Sequence, residues 1–371
     1  MISYGKQTID DEDIQSVIKV LKSDYLTQGS LVTEFERAVC RYVNAEYAVA
    51  VNSATSALHL ACLACDLSED DTVWVPAISF VASANCARYC QSKVDFIDVD
   101  AKSGNINLSK VEDKLKKTKK DNLPKALVIV HMAGNPVDMV RVNTLSDTYG
   151  FMIIEDASHA LGAQYQTGEK VGCMEYADFT VFSFHPVKMI TTAEGGMVIS
   201  KEKNCSDRIR KLSNHGIVKS DSELPWYYEQ KELGFNYRLN EMQAALGISQ
   251  LKKLDGFVKK RREIASYYKK NIINKNVRII NYDEFGLCSH HLYQILVDNQ
   301  LDLFERLKSK GYLCQIHYIP IPNQPYYQEL GSVSSDFPNS NYFYSTVLSL
   351  PIYPELNENE LKNIVEVINY E

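Results

Sequence analysis

The sequence predicts an α/β protein: a large, mainly parallel sheet covered by helices on both faces, then a smaller α+β domain. Three observations predict it. Short apolar runs recur through residues 1–240 and alternate with helix-like segments, as a sheet buried on both faces requires. From about Asn240 the texture changes to a long Lys- and Arg-rich helical stretch, with sparser strands behind it. The 371 residues, 45% hydrophobic and 23% charged, suffice for two domains with a generous core.

The elements follow in order. Asp10-Asp11-Glu12-Asp13 leads into Ile14, Val17, Ile18 and Leu21, acidic residues at the positive end of an amphipathic helix. Tyr47–Val51 reads as a buried strand and Ser53–Leu58 opens a helix; Thr72–Val75 and Phe80–Tyr89 repeat the unit. Apolar runs at Val94–Ile97, Ala126–Val130, Met152–Ile154, Phe179–Phe182 and Met197–Ile199 continue the sheet, with a helix over Val137–Tyr149. One long helix is expected from Leu239 to about Tyr268, linking a domain of residues 1–240 to one of 241–371. The second domain then reads as strands at Leu292–Val297 and Leu313–Tyr318, a helix at Leu301–Lys310 between them, and a closing helix at Asn357–Ile368. Pro320, Pro322 and Pro325 mark an irregular loop.

Composition excludes several classes. A net charge of −7 offers no basic stripe for nucleic acid or an anionic membrane. No signal-peptide pattern or apolar run of membrane-spanning length is visible. Nine cysteines without a small-scaffold spacing suit free thiols in a reducing cytoplasm. Cys62 and Cys65 lie in an apolar helical segment, and the scattered histidines show no metal-ligand spacing.

Ligands of such sheets gather just after the strands, and three segments there carry chemistry. Ser53-Ala54-Thr55-Ser56 places hydroxyls and free amides at a helix N-terminus, where a phosphate is attracted; the same residues also serve as an ordinary cap. Asp156, in Glu155-Asp156-Ala157-Ser158-His159, is a carboxylate at the end of an apolar strand. It needs either a cationic partner or a helix to cap. His159 reads as a ring neighbour or as core. Lys188 stands in an apolar, small-residue turn from Phe182 to Gly196, where burial lowers an amine's pKa and makes it nucleophilic toward an aldehyde. Ser183 adds a phosphate donor.

Together these segments resemble the DegT/DnrJ/EryC1/StrS family of pyridoxal-phosphate sugar aminotransferases. Leu26-Thr27-Gln28-Gly29, Pro76–Asn85, Asn214-His215-Gly216 and Gly234–Asn240 extend the resemblance over nearly the whole chain. It implies an aspartate-aminotransferase-like fold (PLP fold type I) working as a homodimer with a shared site. By resemblance Lys188 is the catalytic Schiff-base lysine and Asp156 the partner of the pyridine nitrogen. Ala54, Thr55, Ser56 and Ser183 match phosphate contacts, Phe80 and His159 ring neighbours, and Asn236 a residue reaching the neighbouring subunit's phosphate. His185, Arg238, His317 and Tyr318 are candidates for substrate. The Lys188 turn and His317-Tyr318-Ile319-Pro320-Ile321 look most like the pseudaminic acid branch. That branch aminates C4 of a UDP-4-keto-6-deoxy-N-acetylhexosamine with L-glutamate, through pyridoxamine phosphate. A legionaminic or perosamine-type precursor, or a non-catalytic binder of cofactor or sugar nucleotide, stays open on the sequence.

Overall fold

The structure is a computed structural model that describes residues 1–219 and 224–370. Seven strands form the main sheet: β1 (Tyr47–Val51), β2 (Thr72–Pro76), β3 (Lys93–Ile97), β4 (Ala126–Val130), β5 (Met152–Asp156), β6 (Phe179–Ser183) and β7 (Gly196–Ser200). Their order is β1-β7-β6-β5-β4-β2-β3. All pairs from β3 to β6 are parallel, whereas β7 runs antiparallel to both neighbours. The exception has a simple cause. Loop 184–195 carries Lys188 and joins adjacent strands without a crossover helix, and a parallel pair needs such a crossover.

Alternation along the strands sends Ile153 and Phe182 into one apolar layer, and Ile154 and Val181 into the other. After α1 (Asp11–Leu21), helices α2 (Ser30–Val43) and α3 (Ala54–Ala64) cover opposite faces of the sheet. Asp156 thereby shares the side of Ile154, while Glu155 points the other way. There Glu155 is fully buried, bonded by His131, Tyr165 and Thr180. Register then gathers the site: Val51 and Ser183 both pair with Gly196, and Asp156 pairs with Val130.

The expected single helix after Leu239 is two, Glu241–Leu251 and Leu254–Asn271. Lys253 interrupts it by turning its ammonium onto Asp10 and Asp13, which ties the break to the capped N-terminus of helix Asp11–Leu21. The second sheet has strands β8 (Val277–Ile279), β9 (Tyr293–Val297) and β10 (Val347–Leu350), antiparallel in that order. The strand expected at Leu313–Tyr318 shrinks to Tyr312–Leu313, paired in parallel with Ile2–Ser3. Its remainder leaves the ladder except for a bridge from Gln315 to Ser349, which frees His317 and Tyr318 to enter the cavity described next. No helix among the described residues is long and apolar enough to cross a membrane.

Candidate active site

One cavity of about 390 Å³ opens at the carboxyl ends of the central strands. Its lining includes Ala54, Thr55, Phe80, Asp156, His159, Ser183, His185, Lys188, His317 and Tyr318, ten of the residues singled out from sequence.

The phosphate-type corner is built at the start of α3. Ser53 caps the helix by accepting from the Ser56 amide, which leaves the first-turn amides of Ala54 and Thr55 without helical partners. β7 passes so close that a Cβ at Gly196 would collide with the Ser53 and Ala54 backbone; glycine is required for this approach. Ser56 itself is not on the cavity wall. Its hydroxyl donates to Asn52 Oδ1 at 2.7 Å and so belongs to the cap.

Asp156 is 6% exposed. Ser83 donates to its Oδ2 at 2.6 Å, and the Ser158 amide to its Oδ1 at 3.2 Å. Ser79 sits behind Ser83 at 2.7 Å. These neutral donors fix the carboxylate without neutralising it, so its charge remains available to a cation in the cavity.

Loop 184–195 is pinned by the Thr191 hydroxyl donating to Phe184 O and by Gln243 donating to Glu194 O. Lys188 keeps some surface open to the cavity, yet burial pushes its amine down to about 8, against the opposing pull of Asp156. His159 shares a 3.1 Å hydrogen bond with Tyr318 through Nε2, and their rings stack at 6.1 Å. Burial, aided by Lys188, holds His159 well below the usual imidazole range. His317 donates to or accepts from Ser349 Oγ at 2.8 Å, and burial lowers it to about 3.

Two substrate and subunit candidates lie elsewhere. Arg238 donates to Asn214 Oδ1 at 2.6 Å in a separate groove, and Asn236 bridges to Asn214. The cavity also recruits residues that sequence reasoning did not select: Tyr4, Ser79 and His291 line it, and Ser83 holds its carboxylate. Ser79 and Ser83 fall inside the Pro76–Asn85 segment beside Phe80, where hydropathy alone does not single them out, whereas Tyr4 and His291 arrive from distant segments with no local motif. Among the described residues no group of three or more His, Cys, Asp or Glu side chains could hold a metal ion.

The donor set suits pyridoxal phosphate. A depressed amine, a buried carboxylate still able to take a cation, and a hydroxyl-and-amide corner share one cavity. The comparisons agree with that chemistry. The model of the DegT/DnrJ/EryC1/StrS aminotransferase family matches residues 7–369. The chain is 41% identical over 375 residues to the UDP-4-amino-4,6-dideoxy-N-acetyl-beta-L-altrosamine transaminase of Campylobacter jejuni (strain 81-176), covering 99% of this chain and 96% of the relative. The structure of Helicobacter pylori PseC, an aminotransferase of pseudaminic acid biosynthesis, superposes with a TM-score of 0.91 at 34% identity over 99% of this chain and 98% of that one. A Streptococcus pneumoniae protein solved in its PMP form superposes at 0.92 with 25% identity, over 100% and 98% of the two chains. On these matches, over nearly its full length, the chain belongs to the DegT/DnrJ/EryC1/StrS aminotransferase family.

Proposed function

We propose that this chain is a pyridoxal-phosphate-dependent aminotransferase that moves the amino group of L-glutamate to C4 of a UDP-4-keto-6-deoxy-N-acetylhexosamine. Its product is the UDP-4-amino sugar that feeds pseudaminic acid synthesis. The single observation that carries the chemistry is Lys188, an amine lowered to about 8, sharing one cavity with the buried Asp156 carboxylate. The sugar is supported by the names of the relatives with 41% and 34% identity, matched over nearly full length.

Pyridoxal phosphate, once bound, supplies an aldehyde that condenses with amines and a protonated ring that takes up electrons from the reacting carbon. The chain supplies the rest. Lowered to about 8, Lys188 Nζ loses its proton far more readily than an exposed lysine does; it first serves as nucleophile and, when displaced by the incoming amine, carries a proton as general base and acid. Asp156, fixed by Ser83 and Ser158, favours a positive charge at the ring nitrogen. Ala54, Thr55 and Ser183 receive the phosphate. Phe80 and His159 flank the ring, while His185, His317 and Tyr318 border the sugar.

Asn236 stands outside this chain's cavity and is assigned to the site of a second copy, so the working unit is a homodimer; Arg238, held on Asn214 in a separate groove, takes no part in this chain's cavity. The division into domains 1–240 and 241–371 belongs to the same reading, with the break at Lys252–Lys253 just inside the second.

The test is a panel of UDP-keto sugars offered with L-glutamate, reading 2-oxoglutarate. Turnover should be fastest on the C4-keto, N-acetylated substrate of the altrosamine series. Preference for a legionaminic or perosamine-type precursor would move the sugar assignment. A protein that stays colourless with added cofactor, and whose Lys188 borohydride leaves unmodified, would remove the chemistry itself.

A further inference from the structure

His291 enters the cavity on a segment held in place at unusual cost. His290, just before it, has φ of 54°, in the left-handed region that non-glycine residues seldom occupy. Beneath the segment lies Arg261, 1% exposed, whose Nη1 donates to the backbone carbonyls of His290, His291 and Ile352 at 3.3, 3.2 and 2.8 Å. No carboxylate pairs with this guanidinium among the described residues, and burial lowers it to about 10. A buried charge without a counter-ion is expensive, so carbonyl contacts alone are a poor reason to keep one. Ser289 adds a third tie by donating to His159 O at 2.9 Å. What these ties fix is the placement of one imidazole.

That imidazole is 3% exposed and packs on His159 with ring centroids 4.4 Å apart. Its Nδ1 is shut away from solvent without a partner, and Nε2 is the ring nitrogen left to face the cavity. A sealed N–H is a rarer defect than a sealed lone pair, so the proton belongs on Nε2. Burial, then Lys188 and His159, keeps the ring uncharged. An uncharged imidazole offers a carboxylate no ion pair, whereas a hydroxyl or carbonyl oxygen of a sugar needs only the N–H.

We propose that His291 is a specificity-determining residue whose Nε2–H donates to an uncharged oxygen of the nucleotide-sugar substrate. The proposal rests on the sugar aminotransferase reading above and adds to it the group that grips the sugar. Arg261 is its positioning residue, acting through the backbone.

The experiment compares holoenzyme carrying His291→Phe, which keeps a ring against His159 but has no donor, with His291→Gln, whose amide nitrogen reaches the ε position. With L-glutamate and the UDP-keto sugar, the Phe variant should show a sugar KM raised about tenfold, the loss of one neutral hydrogen bond. Its glutamate KM, and the absorbance change when glutamate alone meets the cofactor, should match wild type; Gln should restore most of the sugar KM. If the phenyl ring is not accommodated, His291→Asn, smaller and too short for the ε position, gives the same readout. A wild-type sugar KM in the donor-free variants, or equal damage to the glutamate half-reaction, overturns the assignment while leaving the aminotransferase reading intact. Wild-type enzyme inert toward every keto sugar removes both.

Discussion

One wall of the cavity, built from Ala54, Thr55, Asp156, Ser183 and Lys188, holds a carboxylate and an amine near its titration point. The other, from Tyr4, His291, His317 and Tyr318, holds only groups that stay neutral. Burial takes His317 to about 3 and His291 well below its usual range, and raises the Tyr318 phenol. The difference separates two tasks. Moving protons and charge calls for groups whose ionisation is finely placed, whereas recognising a polyhydroxylated ring calls for donors and acceptors that do not change with pH.

If the first wall is the chemical one, its variants should fail in turnover. Lys188→Ala should show the largest loss, about 10⁴-fold in kcat, since nucleophile and proton carrier vanish together. Release of 2-oxoglutarate from glutamate measures it, and a rate within tenfold of wild type would break the division of labour. Asp156→Asn comes next. It keeps the shape and the Ser83 contact but not the charge, and about 10² to 10³ in kcat should go with little change in sugar KM. Ser83→Ala should be milder, about tenfold, because the carboxylate loses the Ser83 donor and keeps the Ser158 amide. A Ser83→Ala effect as large as Asp156→Asn would mean that orientation, not charge, is what Asp156 contributes.

The same two walls explain what the sequence disclosed. Ser53–Ser56, Asp156 and the Lys188 loop each follow one apolar run, so strand periodicity alone puts them at the sheet's carboxyl edge. The seven strands were legible for the same reason. Only β7's direction needed the connection length as well. The second wall has no such grammar. Tyr4 reaches the cavity because Ile2–Ser3 pairs with Tyr312–Leu313, some three hundred residues away in sequence, and His291 because Arg261 pins its backbone. Ser83 shows a third case: a helical serine whose role depends on packing against Asp156, which hydropathy does not encode. The helix from Leu239 reads as unbroken in sequence because Lys252 and Lys253 fit a helix locally. It is the tertiary ion pair with Asp10 and Asp13 that breaks it.

The smallest effect is a displacement along the pH axis, and it isolates the first wall's environment from its chemistry. Burial disfavours the Lys188 ammonium, lowering its pKa from the usual 10.5 to about 8. The neutral amine, the form that attacks an aldehyde, is therefore abundant above about 8. Uptake of pyridoxal phosphate by cofactor-free protein, followed by its visible absorbance, should rise with pH and level off just above that value. An exposed lysine would keep accelerating toward 10.5. Linkage gives a second reading of the same quantity. Between about 8 and 10.5 the unfolded chain holds a proton on this amine that the folded chain has released, so this group's contribution to stability rises with pH across that window. Below about 8 both states are charged and the full cost of burial is felt. Lys188→Met should abolish that slope in the cofactor-free protein while leaving the rest of its pH–stability curve unchanged. A slope that survives the substitution would place the titrating group elsewhere and strip the first wall of its poised amine.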